Sequence, residues 1–189
     1  MRLNLGCGRD IRPGWVNIDC APLPGVDHVV DFDAKPVLPF DDDSVTRSQG
    51  SHVIEHLRDP LPFMAELWRV TAPGRLAVFR CPYGSADDAD EDPTHVRRMF
   101  AGSWAYFGQP HFWRADYGYT GDWQPVRVEL VMFPGLETCT DPELRSMIRF
   151  QRNVVAEMVA ILRCVKPRRE PRRELQEEYE VALTRQPGG

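Results

Sequence analysis

The sequence lacks any apolar run long enough to cross a bilayer, which takes roughly 20 residues as a helix. It also lacks a C-x-x-C pair. Its five cysteines, Cys7, Cys20, Cys81, Cys139 and Cys164, are odd in number and scattered, which argues against a disulfide framework and against a zinc ribbon. Basic excess is absent too. Asp and Glu number 28 against 23 Lys and Arg, and the net charge of -5 speaks against general nucleic-acid binding, though a local basic patch stays open. MRLNLGCG reads directly into a strand, with no apolar stretch of signal-peptide type, so a cytoplasmic location is expected. There is no internal repeat. With 189 residues, 42% hydrophobic and 27% charged, one ordinary globular core is the default.

The organising stretch is LNLGCG, from Leu3 to Gly8. Leu3 and Leu5 alternate with Asn4 as in a short buried strand, and Gly6 and Gly8 follow at once. A strand ending in Gly-x-Gly lets backbone N–H groups approach a ligand that a side chain would hold off. The next strand, in VNID, ends in Asp19. A glycine turn after one strand and a carboxylate at the tip of the next suit a nucleoside, with the acid taking ribose hydroxyls. Cys7, between the two glycines, is read as a small packing residue.

Downstream, RDIRPGW is too short for a full crossover helix. A third strand is expected from about His28 to Asp31-Phe32-Asp33, and a fourth, weak by propensity, over Ser44 to His52. Leu61, Met64, Leu67 and Trp68 fall three and four apart and predict an amphipathic helix ending near Val70. RLAVFRC, ending at Cys81, reads as a central strand. The acidic run from Asp87 to Asp92 is a solvated loop. Thr94 to about Phe107 is expected to be helical, and Val126 to Phe133 to be a strand. Asp141 to about Val165 reads as the longest amphipathic helix, and the charged segment from Pro167 as a frayed helix or flexible tail. The expected division is a core over 1–140, a helix over 141–166 packed on or beside it, and a flexible tail over 167–189.

Strand and short crossover in alternation predict an open, mainly parallel, doubly wound α/β sheet. Gly6, Asp19, Asp31 and His52 then converge at the carboxyl ends of its strands, where such sheets bind ligands. Two other chemistries are disfavoured. A dinucleotide turn needs a third glycine where Ile11 stands, and a helix N-terminus for the pyrophosphate. HVIEH, from His52 to His56, has the H-x-x-E-H spacing of a zinc-protease subclass, but that chemistry needs both histidines on one helical face and His52 is expected at a strand end. No metal is expected. His52 and His95 are the candidates for a direct chemical role, with Glu55 and His56 read as structural. Aromatic residues from Trp104 to Trp123 are read mainly as core, some of them walling an acceptor pocket. The basic run from Arg163 to Arg173 is offset by the glutamates that follow it.

The ordered set LNLGCG, GWVNID, VVDFD, LPFDDDSV, SHVIEHL and APGRLAVFRCP resembles a class I S-adenosylmethionine-dependent methyltransferase, of the small, core-only, type-11-like group, over roughly Arg2 to Phe100. The resemblance implies a Rossmann-like sheet with the last strand antiparallel and S-adenosylmethionine as cofactor. Asn4 would belong to its binding set, and Gly6, Cys7 and Gly8 would lie against its methionine part. Asp19 would take the ribose hydroxyls. Asp31, with Phe32 and either aided or replaced by Asp33, would face the adenine, and Ser51 and His52 would lie near the carboxylate and sulfonium. It implies methyl transfer to a small-molecule acceptor. A nucleic-acid-modifying methyltransferase, or a non-catalytic binding or assembly subunit that kept the fold, is the alternative. A homodimer through the helix from Asp141 is the expected partner mode, and no membrane association is expected.

Overall fold

In the computed structural model, which describes residues 1–186, strands β1 (Arg2–Leu5), β2 (Val16–Asp19), β3 (His28–Val29) and β4 (Val45–Ser51) come first. Loops alone join them up to β4. Helix α1 (Pro60–Val70) leads into β5 (Thr71–Pro82). A long segment follows, with the short helix α2 (Asp88–Glu91) and 3-10 turns at Ala101–Phe107 and Gln109–Phe112, and reaches β6 (Trp123–Met132). Helix α3 (Asp141–Phe150) precedes β7 (Val155–Cys164) and β8 (Glu180–Thr184). The strands form one sheet in the order β3-β2-β1-β4-β5-β7-β6-β8. All neighbours are parallel except where β7 runs antiparallel between β5 and β6. The α/β class and the mainly parallel sheet read from the sequence are both found.

Alternation along the strands gives the sheet two unlike faces. Leu5, Gly50, Phe79, Ala160 and Val128 stand side by side across β1, β4, β5, β7 and β6, and all are buried. On this face Phe79 meets Phe63 of α1, with ring centroids 6.3 Å apart, and stacks on Trp104 at 5.6 Å. Burial of such side chains is worth about 1.5–3 kcal/mol each. Helix α1 forms because Asp59 Oδ1 accepts the Leu61 N–H at 3.1 Å, Pro60 occupies the first turn, and Phe63, Met64, Leu67 and Val70 fall on one stripe that is buried. Ile148 of α3 borders an open hollow with Leu130, Val181 and Leu183 of the same face. The opposite row, Asn4, Gln49, Val78, Ile161 and Arg127, is covered by loop only at Asn4. From β4 to β6 that row is only half-buried.

Three expectations are corrected. The segment 141–165 is not one helix. The helix stops at Phe150, and Asn153, at φ 56°, turns the chain through the left-handed region while its side chain bonds Asp87. The β-branched run that follows becomes β7, in the interior of the sheet. The long helical face expected to pair two copies therefore does not form. The second correction concerns 94–107, which is extended before it becomes a 3-10 turn at Ala101–Phe107, because its backbone bonds to other segments: Val96 N to Glu55 O at 3.0 Å and Gly84 N to Met99 O at 2.7 Å. The third concerns the charged segment after Pro167, which contains β8 and is tied down by Arg169. Its guanidinium and backbone N–H bond the fully buried Asp122 at 2.8–3.0 Å, and Nη1 also bonds Gln124 Oε1 at 2.6 Å. Of the expected tail, 187–189 lie outside the described residues.

Glu66 makes a comparable tie between α1 and the loop before β4. Its carboxylate accepts from Leu38 N at 2.8 Å and from Arg69 Nε and Nη2 at 2.8 and 2.7 Å. Burial pushes the Glu66 carboxyl up, but the bonds from Arg69 and Leu38 outweigh it and hold the pKa below the usual 4.5. A depressed carboxyl gives stability that is full above the unfolded value and is lost as the pH falls through the folded one. Glu66→Gln is expected to lower the urea midpoint at pH 7 and to flatten its fall below pH 4.5; an acid limb identical to the parent's would refute this.

Candidate active site

The strand order reverses at β1, which lies between β2 and β4, and a ligand cleft is expected beyond the carboxyl ends there. A cleft of about 320 Å³ lies at that place, lined by Gly6, Asp19, Cys20, Asp31, Phe32, Asp33, His52, Val53, His56 and Leu57. Of the residues singled out in the sequence, Gly6, Asp19, Asp31, Phe32, Asp33 and His52 meet in it. Asn4, Cys7, Gly8, Ser51 and His95 do not line it.

Each wall has a local cause. Gly6, at φ 58°, turns the chain after β1, and a Cβ there would lie 2.2 Å from Val53 Cγ2. Gly is thus required twice, by the backbone and by the side chain packed against it. Gly8 N donates to Asp19 Oδ2 at 2.7 Å, and Ala21 N to Oδ1 at 2.9 Å, so the glycine turn holds the buried carboxylate in place. A carboxylate has about four lone-pair sites, so both oxygens can still accept from a ligand. Asn4 is buried below this turn, where its Nδ2 donates to Asp10 O at 2.7 Å and Asn17 Oδ1 at 3.0 Å. It shapes the loop from beneath. Burial, and next the charge of Asp19, push the Cys7 thiol up, as suits a packing residue.

Phe32 packs on Phe63 with centroids 4.7 Å apart and presents the cleft's aromatic surface. Asp31 is exposed. Its Oδ1 accepts from Asp33 N and Ala34 N at 2.9 and 3.0 Å, and those bonds hold its carboxyl below the ordinary range. Asp33 Oδ1 accepts from Arg58 N at 2.9 Å and so joins the β3 loop to the turn before α1.

His52, at φ 55° beyond β4, is exposed. Its Nε2 lies 3.1 Å from Glu157 Oε1 and its Nδ1 3.2 Å from Glu55 Oε1. Glu55 raises the His52 pKa, burial opposes it, and Glu157 adds to the rise. Glu157 is not among the residues the sequence points to, because its segment carries a helical period and yet forms β7. Nor does the sequence point to Cys20, Val53 and Leu57 as cleft walls. Cys20 could have been found, since it directly follows Asp19 at the strand tip. The acidic run is tied down rather than free: Arg98 pairs with Asp90 at 2.7 Å and Arg152 with Asp87 at 2.8 Å. Trp104, Phe107, Phe112, Tyr119 and Trp123 are buried, as expected of core, whereas Tyr106 and Tyr117 stay exposed beside an open apolar hollow.

Residues 3–79 match the family model of the methyltransferase domain. The fold is that of the class I methyltransferases. Solved structures agree with this. A S-adenosylmethionine-dependent methyltransferase from Archaeoglobus fulgidus matches with a TM-score of 0.59 and 15% identity, over 86% of this chain and 85% of that one. A chain of the complex between the Haloferax volcanii Trm112 methyltransferase activator and a methyltransferase matches at 0.55 and 16%, over 87% and 82%. The [4+2]-cyclase SpnF matches at 0.55 and 15%, over 87% and 74%. No curated protein matches the sequence. Identities this low speak for the fold, and the cyclase shows that a methyltransferase-type fold alone does not name a reaction. Among the described residues, no helix is long and apolar enough to cross a membrane.

Gly6→Ala is expected to destabilise the protein by about 2–5 kcal/mol, from a left-handed backbone and a forced shift of Val53. Urea unfolding checks it. A loss below about 1 kcal/mol would mean that the loop moves aside freely.

Proposed function

We propose that the protein transfers a methyl group from S-adenosylmethionine to a small-molecule acceptor. The observation that carries this is the charge of the cleft. Asp19, Asp31 and Asp33 line it and no Lys or Arg does. An acidic cleft repels a pyrophosphate and favours a nucleoside that is neutral or cationic. It also has an aromatic and aliphatic wall, from Phe32, Val53 and Leu57, against which a flat base packs. Asp19 supplies the two fixed acceptor oxygens that a ribose diol needs. These residues fit the cofactor, which would supply an electrophilic methyl on a sulfonium.

The work of the chain's own residues is binding and orientation. Gly6 lets Val53 close the back of the cleft, the Gly8 N–H holds Asp19, Asp19 fixes the ribose end, and Asp31 or Asp33 accepts from the base. Holding two reactants in line can account for several kcal/mol of a barrier, on the order of 7 or more in well-oriented cases. His52 and His95 are the groups proposed to serve the acceptor. His52 reaches the cleft itself. His95 stands behind it, beside His56, so its part would be played from a second rank.

The small-molecule preference rests on the acidic net charge and on the acidic lining of the cleft, both of which disfavour a polyanion. Calorimetry with S-adenosylmethionine and S-adenosylhomocysteine, with NAD as control, tests the reading. Binding of the first two and not of NAD is expected; a folded protein that binds neither sinks it. Asp19→Ala, which removes two charge-assisted hydrogen bonds, is expected to weaken binding by about 3 kcal/mol, on the order of 100-fold. Unchanged affinity would reject the ribose role.

A further inference from the structure

Behind the cleft, two segments far apart in sequence bring Glu55, His56 and His95 together. One ligand atom from each lies within 4.8 Å of the other two. We propose that these three side chains form a site for a first-row divalent cation, with zinc the best match. The site differs from the one suggested by the H-x-x-E-H spacing, which would use His52 with His56. His52 stands at the strand end and faces Glu157, and the third donor comes from the segment before Ala101. The proposal departs from the expectation, read from the sequence, that no metal is bound.

Three observations carry the proposal. First, Glu55 is 2% exposed, and neither of its carboxylate oxygens has a hydrogen bond; His52 Nδ1 lies 3.2 Å from Oε1 but out of hydrogen-bond alignment. Oε2 thus has no partner and Oε1 only the exposed His52 as a charged neighbour, which leaves a buried carboxylate under-compensated and open to a cation. Second, His95 Nδ1 is buried and also without a partner, on a side chain that is 7% exposed. Third, the outer contacts set both imidazoles so that the lone pairs are free. Thr94 Oγ1 donates its proton to Asp92 Oδ1 at 2.6 Å, so towards His56 Nδ1, 3.0 Å away, it can only accept; the Thr94 carbonyl lies 3.3 Å from the same nitrogen. Nδ1 of His56 is therefore the protonated nitrogen and Nε2 the bare one. Asp92 Oδ2, 3.8 Å from His95 Nε2, favours the proton there and leaves Nδ1 bare. One aspartate orients both histidines, as outer-shell carboxylates do at metal sites.

Two imidazoles and one carboxylate suit zinc or another borderline cation, and three protein ligands leave a coordination position open. Zinc ligand bonds of about 2.0–2.2 Å would bring tetrahedral donors to about 3.4 Å from one another, so the donors close by a small side-chain rotation. His56 also lines the cleft, so the open position lies next to it. A hydroxyl or carboxylate oxygen of an acceptor is the ligand that fits. Only this use of the ion rests on the methyl-transfer reading; its binding does not.

The test uses the full-length, untagged protein, stripped with a chelator and titrated with Zn²⁺ by calorimetry, and with Co²⁺ as a coloured probe. We expect one ion per chain and a Co²⁺ spectrum without thiolate charge transfer. His95→Ala and Glu55→Gln should weaken zinc binding by more than about 100-fold, and Thr94→Val, which removes the hydroxyl between Asp92 and His56 but no ligand atom, by about tenfold. Cys20→Ser should leave binding unchanged. Melting curves show that each variant is folded. If a ligand variant unfolds, Thr94→Val and the Co²⁺ spectrum of the parent decide. No zinc uptake at micromolar concentration, thiolate bands with Co²⁺, or zinc affinity unmoved in folded ligand variants would each overturn the proposal. Loss of zinc with S-adenosylmethionine binding intact would leave the ion as a separate, acceptor-side component. Zinc binding without nucleoside binding would keep the site and reject the function proposed above.

Discussion

The structure around the cleft depends on one close approach, that of Val53 to the backbone of Gly6. Because position 6 has no side chain, the loop after β4 can lie directly on the turn after β1. That contact brings His52, Glu55 and His56 to the same edge as Asp19. The Gly8 N–H then fixes Asp19, and the Val96–Glu55 backbone bond fastens the segment that carries His95. The proposed nucleoside site and the proposed cation site thus share a single packing constraint. A ligand-shaped surface is built here from backbone bonds and one valine, with no crossover helix behind it.

Much of the N-terminal half was legible in the sequence. Its strands are short, each is followed at or just beyond its tip by a residue of telling chemistry, and across the sheet these stand as Asp31, Asp19, Gly6, His52 about the switch point at β1. What was legible at those positions was the backbone role. The side-chain contacts were not, because they are tertiary: nothing near Asn4 in sequence shows that it would be buried beneath the glycine turn, and nothing near His95 shows that it would reach Glu55.

The C-terminal half was misread for one physical reason. In 154–164, apolar residues recur at spacings that satisfy both a helix and a strand buried on one face. The β-branched content of Val154, Val155, Val159 and Ile161 and the polar Gln151-Arg152-Asn153 break before them favoured the strand. The charged segment after Pro167 misled in a different way. Its composition resembles a solvated tail, but one buried partner, Asp122, is enough to hold Arg169 and to guide the chain back to the sheet edge. Composition reports the average residue, and here a single ion pair decided the path.

The position of β7 has a consequence for synthesis. This strand lies between β5 and β6, yet it leaves the ribosome after both. Roughly 80 residues separate the end of β5 from the end of β7, a delay of about 4–16 s at usual elongation rates. Through that interval the nascent chain carries strands β1 to β5 in near-final order, with one long edge of β5 unpaired. Strand β6, already made, has to wait a strand's width away. An open edge of this kind attracts any extended chain nearby. The same insertion that closes the sheet at the end thus makes the half-made protein dependent on what meets it first.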